Sequence, residues 1–206
     1  MGLFGAFKKS TNDKTAEAGW KAFIEEYRPE TGLVKPSEHI LQACKKVGFP
    51  EELLDFQKQY GFGNYGKGIL KLIDPEEYMN SLYTWLGGED FSKIPFMMTG
   101  FGDIFYYRNL EDGNYDIALL DIHYRQVIVP AYSIEELWKY LLSEDSKQKL
   151  LRKSLFDNAV DKCGLLENDD IYFFVPALVA GGAENIKYVD KGKAAVHHQV
   201  LFQLGS

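Results

Sequence analysis

Cysteine is scarce in this chain. The 206 residues hold two, Cys44 and Cys163, far apart and outside any C-x-x-C pair. That argues against a disulfide framework and against a cysteine-based zinc site. Both read as small apolar residues near helix ends, which suits a reducing cytosol. Long apolar runs are missing as well; none approaches the ~20 residues that a membrane-crossing helix needs. Positive charge is in deficit, with 23 Lys and Arg against 30 Asp and Glu, a net charge of −7 and a pI near 5.2. The excess is uneven: two negative charges fall in residues 1–100 and five in 101–206. Such a chain is poorly equipped to neutralise phosphates, so direct nucleic-acid binding is not expected. It is well matched to a basic protein. The four histidines, His39, His123, His197 and His198, show no H-x-x-x-H or H-E-x-x-H spacing. Adjacent His197 and His198 point to different sides of any regular element. No metal site and no cofactor are therefore expected. No Ser sits in a G-x-S-x-G elbow and neither Cys adjoins a His, so no catalytic residue is nominated. There are no repeats. The opening Met1 to Lys9 is too short for a secretory apolar region and lacks a small-residue cleavage site. Residues 1–15 are expected to be a flexible terminus.

What is present is apolar and aromatic: 46% hydrophobic residues and 15% Phe, Trp and Tyr, ample for a packed core. The chain is organised around Gly61 to Pro75. Gly61, Gly63 and Gly66 spell the G-x-G-x-x-G of a dinucleotide loop, which requires a strand before it and a helix after it. Here the order is reversed. Pro50 to Tyr60 reads as a helix and Ile69 to Ile73 as a strand, so Gly61 is a helix C-cap and the other glycines turn the chain. Trp20, Phe23, Ile24 and Tyr27 mark a first helix over about 16–27, and Ser37 to Lys46 a second. Asp74-Pro75 supplies an N-cap and a first-turn proline for a helix running to Leu86. Strands are expected at about 104–108, 115–120 and 124–129, with a hairpin turn at Asp112-Gly113. Pro130 closes that sheet. Ser133 to Glu136 is a capping box opening a helix to Ser143; a polar helix follows over about 145–162, then a strand at 171–175 and a last helix over about 189–204. The fold class expected is α+β: an antiparallel sheet backed by N-terminal helices over 16–130, with a smaller mixed helical and strand unit over 131–206.

Eight carboxylate pairs punctuate the chain. Glu51-Glu52, Glu76-Glu77 and Glu135-Glu136 fall in first helical turns, where the helix dipole accounts for them. Glu89-Asp90, Glu111-Asp112 and Asp169-Asp170 fall in expected loops, and Asp103 and Asp116 add to the same half. Interleaved with Tyr106, Tyr107, Tyr115 and Tyr172, these acids are the candidate residues for gripping a basic protein. A solvated acidic surface over a tyrosine-rich core is the other reading of the same residues.

The run from Leu53-Leu54 through Tyr60-Gly61-Phe62-Gly63-x-Tyr65 to Gly68, with Asp74-Pro75-x-x-Tyr78, Trp85-Leu86 and Phe101-Gly102-Asp103, resembles the GAD-like domain of bacterial immunity proteins. It departs from that pattern in having no Trp in the glycine loop. The run Leu165-Leu166-x-x-Asp169-Asp170-x-Tyr172-x-Phe174-x-Pro176-Ala177-Leu178-x-x-Gly181-Gly182, ending in His197 and Leu201-x-Gln203-Leu204, is similar to the C-terminal domain of type VI secretion immunity proteins. The resemblance implies a non-enzymatic, cytoplasmic antitoxin whose partner is a cognate toxin effector, often a DNase with a basic surface. Acidic loops of the chain would then act as a phosphate mimic. The competing expectation is a small-molecule-binding or enzymatic protein that uses a pocket between the two units. Oligomeric state stays open.

Overall fold

The computed structural model describes residues 11–110 and 113–205, with side chains from Gly19 onward. Three helices open the chain: α1 (Thr11–Glu26), α2 (Glu38–Lys46) and α3 (Glu51–Tyr60). The Ser37 hydroxyl accepts from the Ile40 N–H at 3.2 Å and so starts α2. Gly61, at φ +104°, ends α3; a Cβ there would lie 2.8 Å from the Val34 carbonyl oxygen, so only glycine fits.

The glycine stretch is a hairpin, more regular than the expected loop. β1 (Gly63–Tyr65) pairs antiparallel with β2 (Leu70–Leu72) across a 3-10 turn at Gly66–Gly68. A helix precedes it and no helix leaves it, which removes the geometry of a dinucleotide loop. Helix α4 (Pro75–Leu86) follows, capped by Asp74, whose carboxylate accepts from the Glu76 N–H at 2.9 Å, and ended by left-handed Gly87.

Strands β3 (Lys93–Thr99), β4 (Ile104–Asn109), β5 (Tyr115–Asp121) and β6 (Gln126–Ala131) complete an antiparallel sheet in the order β1-β2-β3-β4-β5-β6. Strand β3 was not expected from sequence. Its Pro95 interrupts the pattern, and the structure accommodates it at a register shift between Pro95 and Met97. Pro130 lies inside β6 and does not end it; on an edge strand the missing N–H costs no ladder bond.

The C-terminal part adds α5 (Ile134–Leu142), α6 (Glu144–Lys149), α7 (Lys153–Cys163), a two-stranded sheet of β7 (Asp170–Phe174) and β8 (Val189–Lys193), and α8 (Ala194–Leu204). The single polar helix expected over 145–162 is two, broken where Arg152 adopts φ +51°. The first residues of the expected last helix are β8.

Period-2 alternation sorts the sheet's side chains, its phase reset in β3 by the register shift between Pro95 and Met97. Ile94, Phe96, Phe105, Tyr107, Ile117 and Leu119 pack with α1, α2, α3 and α5. Met98, Ile104, Tyr106, Ala118 and Leu120 face the other way, toward α4 and α8. The sheet is therefore covered on both faces: α1, α2 and α3 back one, while α4 crosses to the other. Residues from both sides of position 130 share the first cluster. Trp138 of α5 lies 4.8 Å from the Phe23 ring and 5.1 Å from that of Phe56.

Candidate functional site

The two parts of the chain meet on polar groups as well as apolar ones. The turn after β3, Phe101-Gly102-Asp103, is held by residues from later in the sequence. His123 bonds the Phe101 carbonyl at 2.8 Å and His198 bonds the Gly102 carbonyl at 2.9 Å, each through Nε2. Burial pushes both imidazoles down to about 4, so they are neutral donors here. Phe174 stacks on Phe101 at 5.5 Å. Arg152 reaches Asp103 at 2.6 Å, Glu184 at 2.7 Å and Asp121 at 3.4 Å. Buried Lys71 donates to Asn64 Oδ1 and, at 2.9 Å, to the Glu167 carbonyl. The Asn64 amide donates to the Leu166 carbonyl at 2.9 Å. Burial pushes the Lys71 amine down to about 7, with Asp170, Asp169 and Glu167 opposing that fall.

Most of the acids and tyrosines nominated from sequence serve this interior instead of a surface. Asp103 is 1% exposed and, besides Arg152, accepts from the Ile122 N–H and the Thr99 hydroxyl. Burial raises its carboxyl to about 7, against the pull of the Arg152 guanidinium. Asp116 is buried under a bidentate pair with Arg108, at 2.7 and 2.6 Å. Tyr106 is buried, Tyr107 donates to the Gly48 carbonyl at 2.8 Å, and Tyr172 donates to the Gly164 carbonyl at 2.6 Å. Asp170 is buried beside Lys193. Half-buried Tyr115 accepts from the Ile134 N–H. Six of these seven side chains are buried and Tyr115 is half-buried. Glu89 is exposed. Asp90 is partly exposed and bonded to Lys93 and Ser92, which hold its carboxyl down at about 2. Asp169 is exposed. Glu111 and Asp112 lie outside the described residues.

A site at the seam emerges that the sequence alone did not show. A groove of about 260 Å³ has Val34, Phe62, Leu72, Ile73 and Tyr78 on its apolar walls and the carboxylates of Asp74, Glu77 and Asp169 around it. Asp74 and Glu77 come from the start of α4; Asp169 arrives from the loop before β7. Burial raises the Asp74 and Glu77 carboxyls, and Asp169 adds repulsion to Glu77. Lys193 bridges Asp169 and Asp170, at 2.7 and 2.9 Å, and offsets part of the charge. Glu77 had a sufficient explanation in its first-turn position. Only its approach to Asp169, 92 residues on, gives it a second role.

A second groove, of about 370 Å³, lies between α4 and α8. It holds no pair of titratable groups. Among the described residues no group of three His, Cys, Asp or Glu side chains is placed to hold a metal ion. No helix among them is long and apolar enough to cross a membrane.

Comparison with known proteins places this architecture. Residues 19–120 match the GAD-like domain, and residues 131–205 match the family described as T6SS immunity protein Tdi1, C-terminal. No curated protein matches the chain. Among solved structures, the crystal structure of Atu4351 from Agrobacterium tumefaciens is similar with a TM-score of 0.68 and 18% identity, over 89% of this chain and 88% of that one. At that identity the likeness concerns the fold. The chain thus joins a GAD-like domain to a Tdi1-type C-terminal domain and belongs with the T6SS immunity proteins.

Proposed function

We propose that this chain is a non-enzymatic, cytoplasmic antitoxin that binds its cognate T6SS toxin, a nuclease with a basic DNA-binding surface, and occludes the active site or the DNA path. The observation that carries the reading is the acidic groove at the seam. Three carboxylates stand around apolar walls, in a chain of net charge −7. An arginine or lysine of a DNA-binding surface would find there the charge it otherwise takes from phosphate, and a hydrophobic floor for its methylene stem. The earlier expectation of an acid-and-tyrosine surface narrows to the exposed Asp169 and Glu89 and the partly exposed Asp90, joined by Asp74 and Glu77. Occlusion needs no catalytic group. It needs a surface that competes with DNA, and opposite charge speeds that competition.

Co-expression with the product of the adjacent gene, scored by growth and then by isolation of a complex, tests the function. Rescue of growth with a stable one-to-one complex is expected. The Glu77→Lys and Asp169→Lys double variant should weaken binding at least tenfold and flatten its salt dependence, without lowering the melting temperature by more than a few degrees. Unchanged affinity in that variant would retire the acidic groove as the contact. Rescue with no complex would replace occlusion by an indirect antidote.

A further inference from the structure

The groove between α4 and α8 is built unlike the acidic one. Asn80, Ser81 and Thr84 of α4 face Gln199 and Gln203 of α8, beside the rings of Trp85 and Phe202, which meet at 5.6 Å. His198 also lines it; that side chain is 1% exposed and its Nδ1 has no hydrogen-bond partner among the described residues. The contacts advance in the same sense along both helices, from Tyr78 against His198 to Trp85 against Phe202. No lining residue is Asp, Glu, Lys or Arg, although 26% of the chain is. All of α8 is free of those four residues, and its exposed Val196, Val200 and Leu204 extend the uncharged surface beyond the groove.

The carboxamides of Asn80, Gln199 and Gln203 have no hydrogen-bond partner among the described residues. A carboxamide carries the same N–H and C=O groups as a peptide bond. Gln199 and Gln203 stand one above the other at i and i+4, about 6 Å apart along the helix. On the facing wall Asn80 offers one carboxamide, while the Thr84 hydroxyl donates to the Asn80 backbone carbonyl at 2.8 Å. An extended chain presents equivalent backbone groups every two residues, about 6.6 Å. The α8 wall therefore offers peptide-like groups at close to the repeat of an extended strand, and Asn80 adds one from the α4 wall. The charge balance restricts the sequence of such a strand. A charged side chain entering this groove would lose its hydration. The charge beside it is the exposed Arg125 guanidinium, 5.1 Å from the Trp85 ring and bonded to the Phe202 carbonyl, which repels a basic chain. An uncharged side chain instead meets a surface of the kind found at interface centres.

We propose that the groove between α4 and α8 binds an extended, uncharged segment of the partner toxin, with its backbone paired to the carboxamides of Asn80, Gln199 and Gln203. The inference rests on the toxin-binding function proposed above and adds a second contact, distinct in chemistry from the acidic groove. Charge brings the two proteins together at one site, and backbone pairing fixes their register at the other.

Hydrogen–deuterium exchange on the full chain, free and in complex with the co-expressed toxin, should show protection of residues 80–85 and 195–203 on binding. The Gln199→Glu and Gln203→Glu double variant should bind at least tenfold more weakly, while its melting temperature stays within a few degrees of wild type. Full affinity in that variant, or a complex that leaves α8 unprotected, overturns the proposal and leaves the antitoxin function standing. Protection of α8 that grows with concentration of the free chain assigns the groove to a second copy and overturns it too. A wild-type chain that forms no complex removes the toxin-binding function, and the proposal with it.

Discussion

Arg152 and Asp103 form an ion pair at 2.6 Å with both side chains almost wholly buried, 49 residues apart in sequence. The pair joins the sheet's central turn to the C-terminal part, and Arg152 accepts a left-handed backbone to reach it. A buried pair of this kind adds little over an apolar replacement of both partners, but losing one partner strands the other.

Arg152→Met is accordingly expected to destabilise the protein by about 3–5 kcal/mol, because Asp103 is left in a dry site without its guanidinium partner and must take up a proton to stay there. Adding Asp103→Asn should return part of that loss. Urea unfolding of the two single variants and the double variant measures the coupling. A double variant whose loss equals the sum of the singles would show that the two side chains do not act on each other.

Stability should depend on pH through the buried histidines. His198 titrates near 6.5 when unfolded and near 4 when folded. The unfolded chain therefore binds the extra proton first as pH falls, so the stabilisation present above about 6.5 is lost progressively down to about 4. Asp103, raised by burial, titrates over the same interval with the opposite sign, so the comparison must isolate one group. His198→Gln keeps a donor for the Gly102 carbonyl and cannot titrate. Wild type should lose up to about 3 kcal/mol relative to that variant between pH 6.5 and 4. Parallel stability curves for the two proteins would show that His198 is not buried neutral.

Gly100 sits where β7 hydrogen-bonds to the turn after β3, and its carbonyl accepts from the Tyr172 N–H at 2.8 Å. A Cβ at this position would come within 2.5 Å of the Phe156 ring and 2.9 Å of the Gly68 carbonyl oxygen. Gly100→Ala should therefore cost about 1–3 kcal/mol, the range for overpacking a tight core. Phe156→Leu in the same chain should relieve part of it, since the ring can yield and the backbone of Gly68 cannot. Thermal melts of the single and double variants test this, and an unshifted Gly100→Ala midpoint would mean the two parts do not pack as closely as described.

The elements set by near neighbours were legible in the sequence. Ser37, Asp74 and Ser133 each cap the helix they precede, and Gly61 ends α3 at a positive φ. These depend on a residue and the three or four after it. The reversed order of helix, glycines and strand was enough to discount a phosphate loop. Long-range partners were beyond such reading. Asp116 meets Arg108 across the hairpin that the sequence already implied, but nothing near Asp103 announces Arg152. Both acids, nominated for a partner surface, are buried and paired within the frame. Pro95 concealed β3 because the bulge that admits it is a property of the pairing and not of the strand. The acidic groove and the α4–α8 groove each combine residues from both ends of the chain. Composition determined that the protein would be acidic, aromatic and compactly packed. Which carboxylates face solvent, and which uncharged side chains stand opposite one another, was decided only when the sheet brought α4, α8 and the loop before β7 together, because burial and counter-charge are properties of neighbours in space.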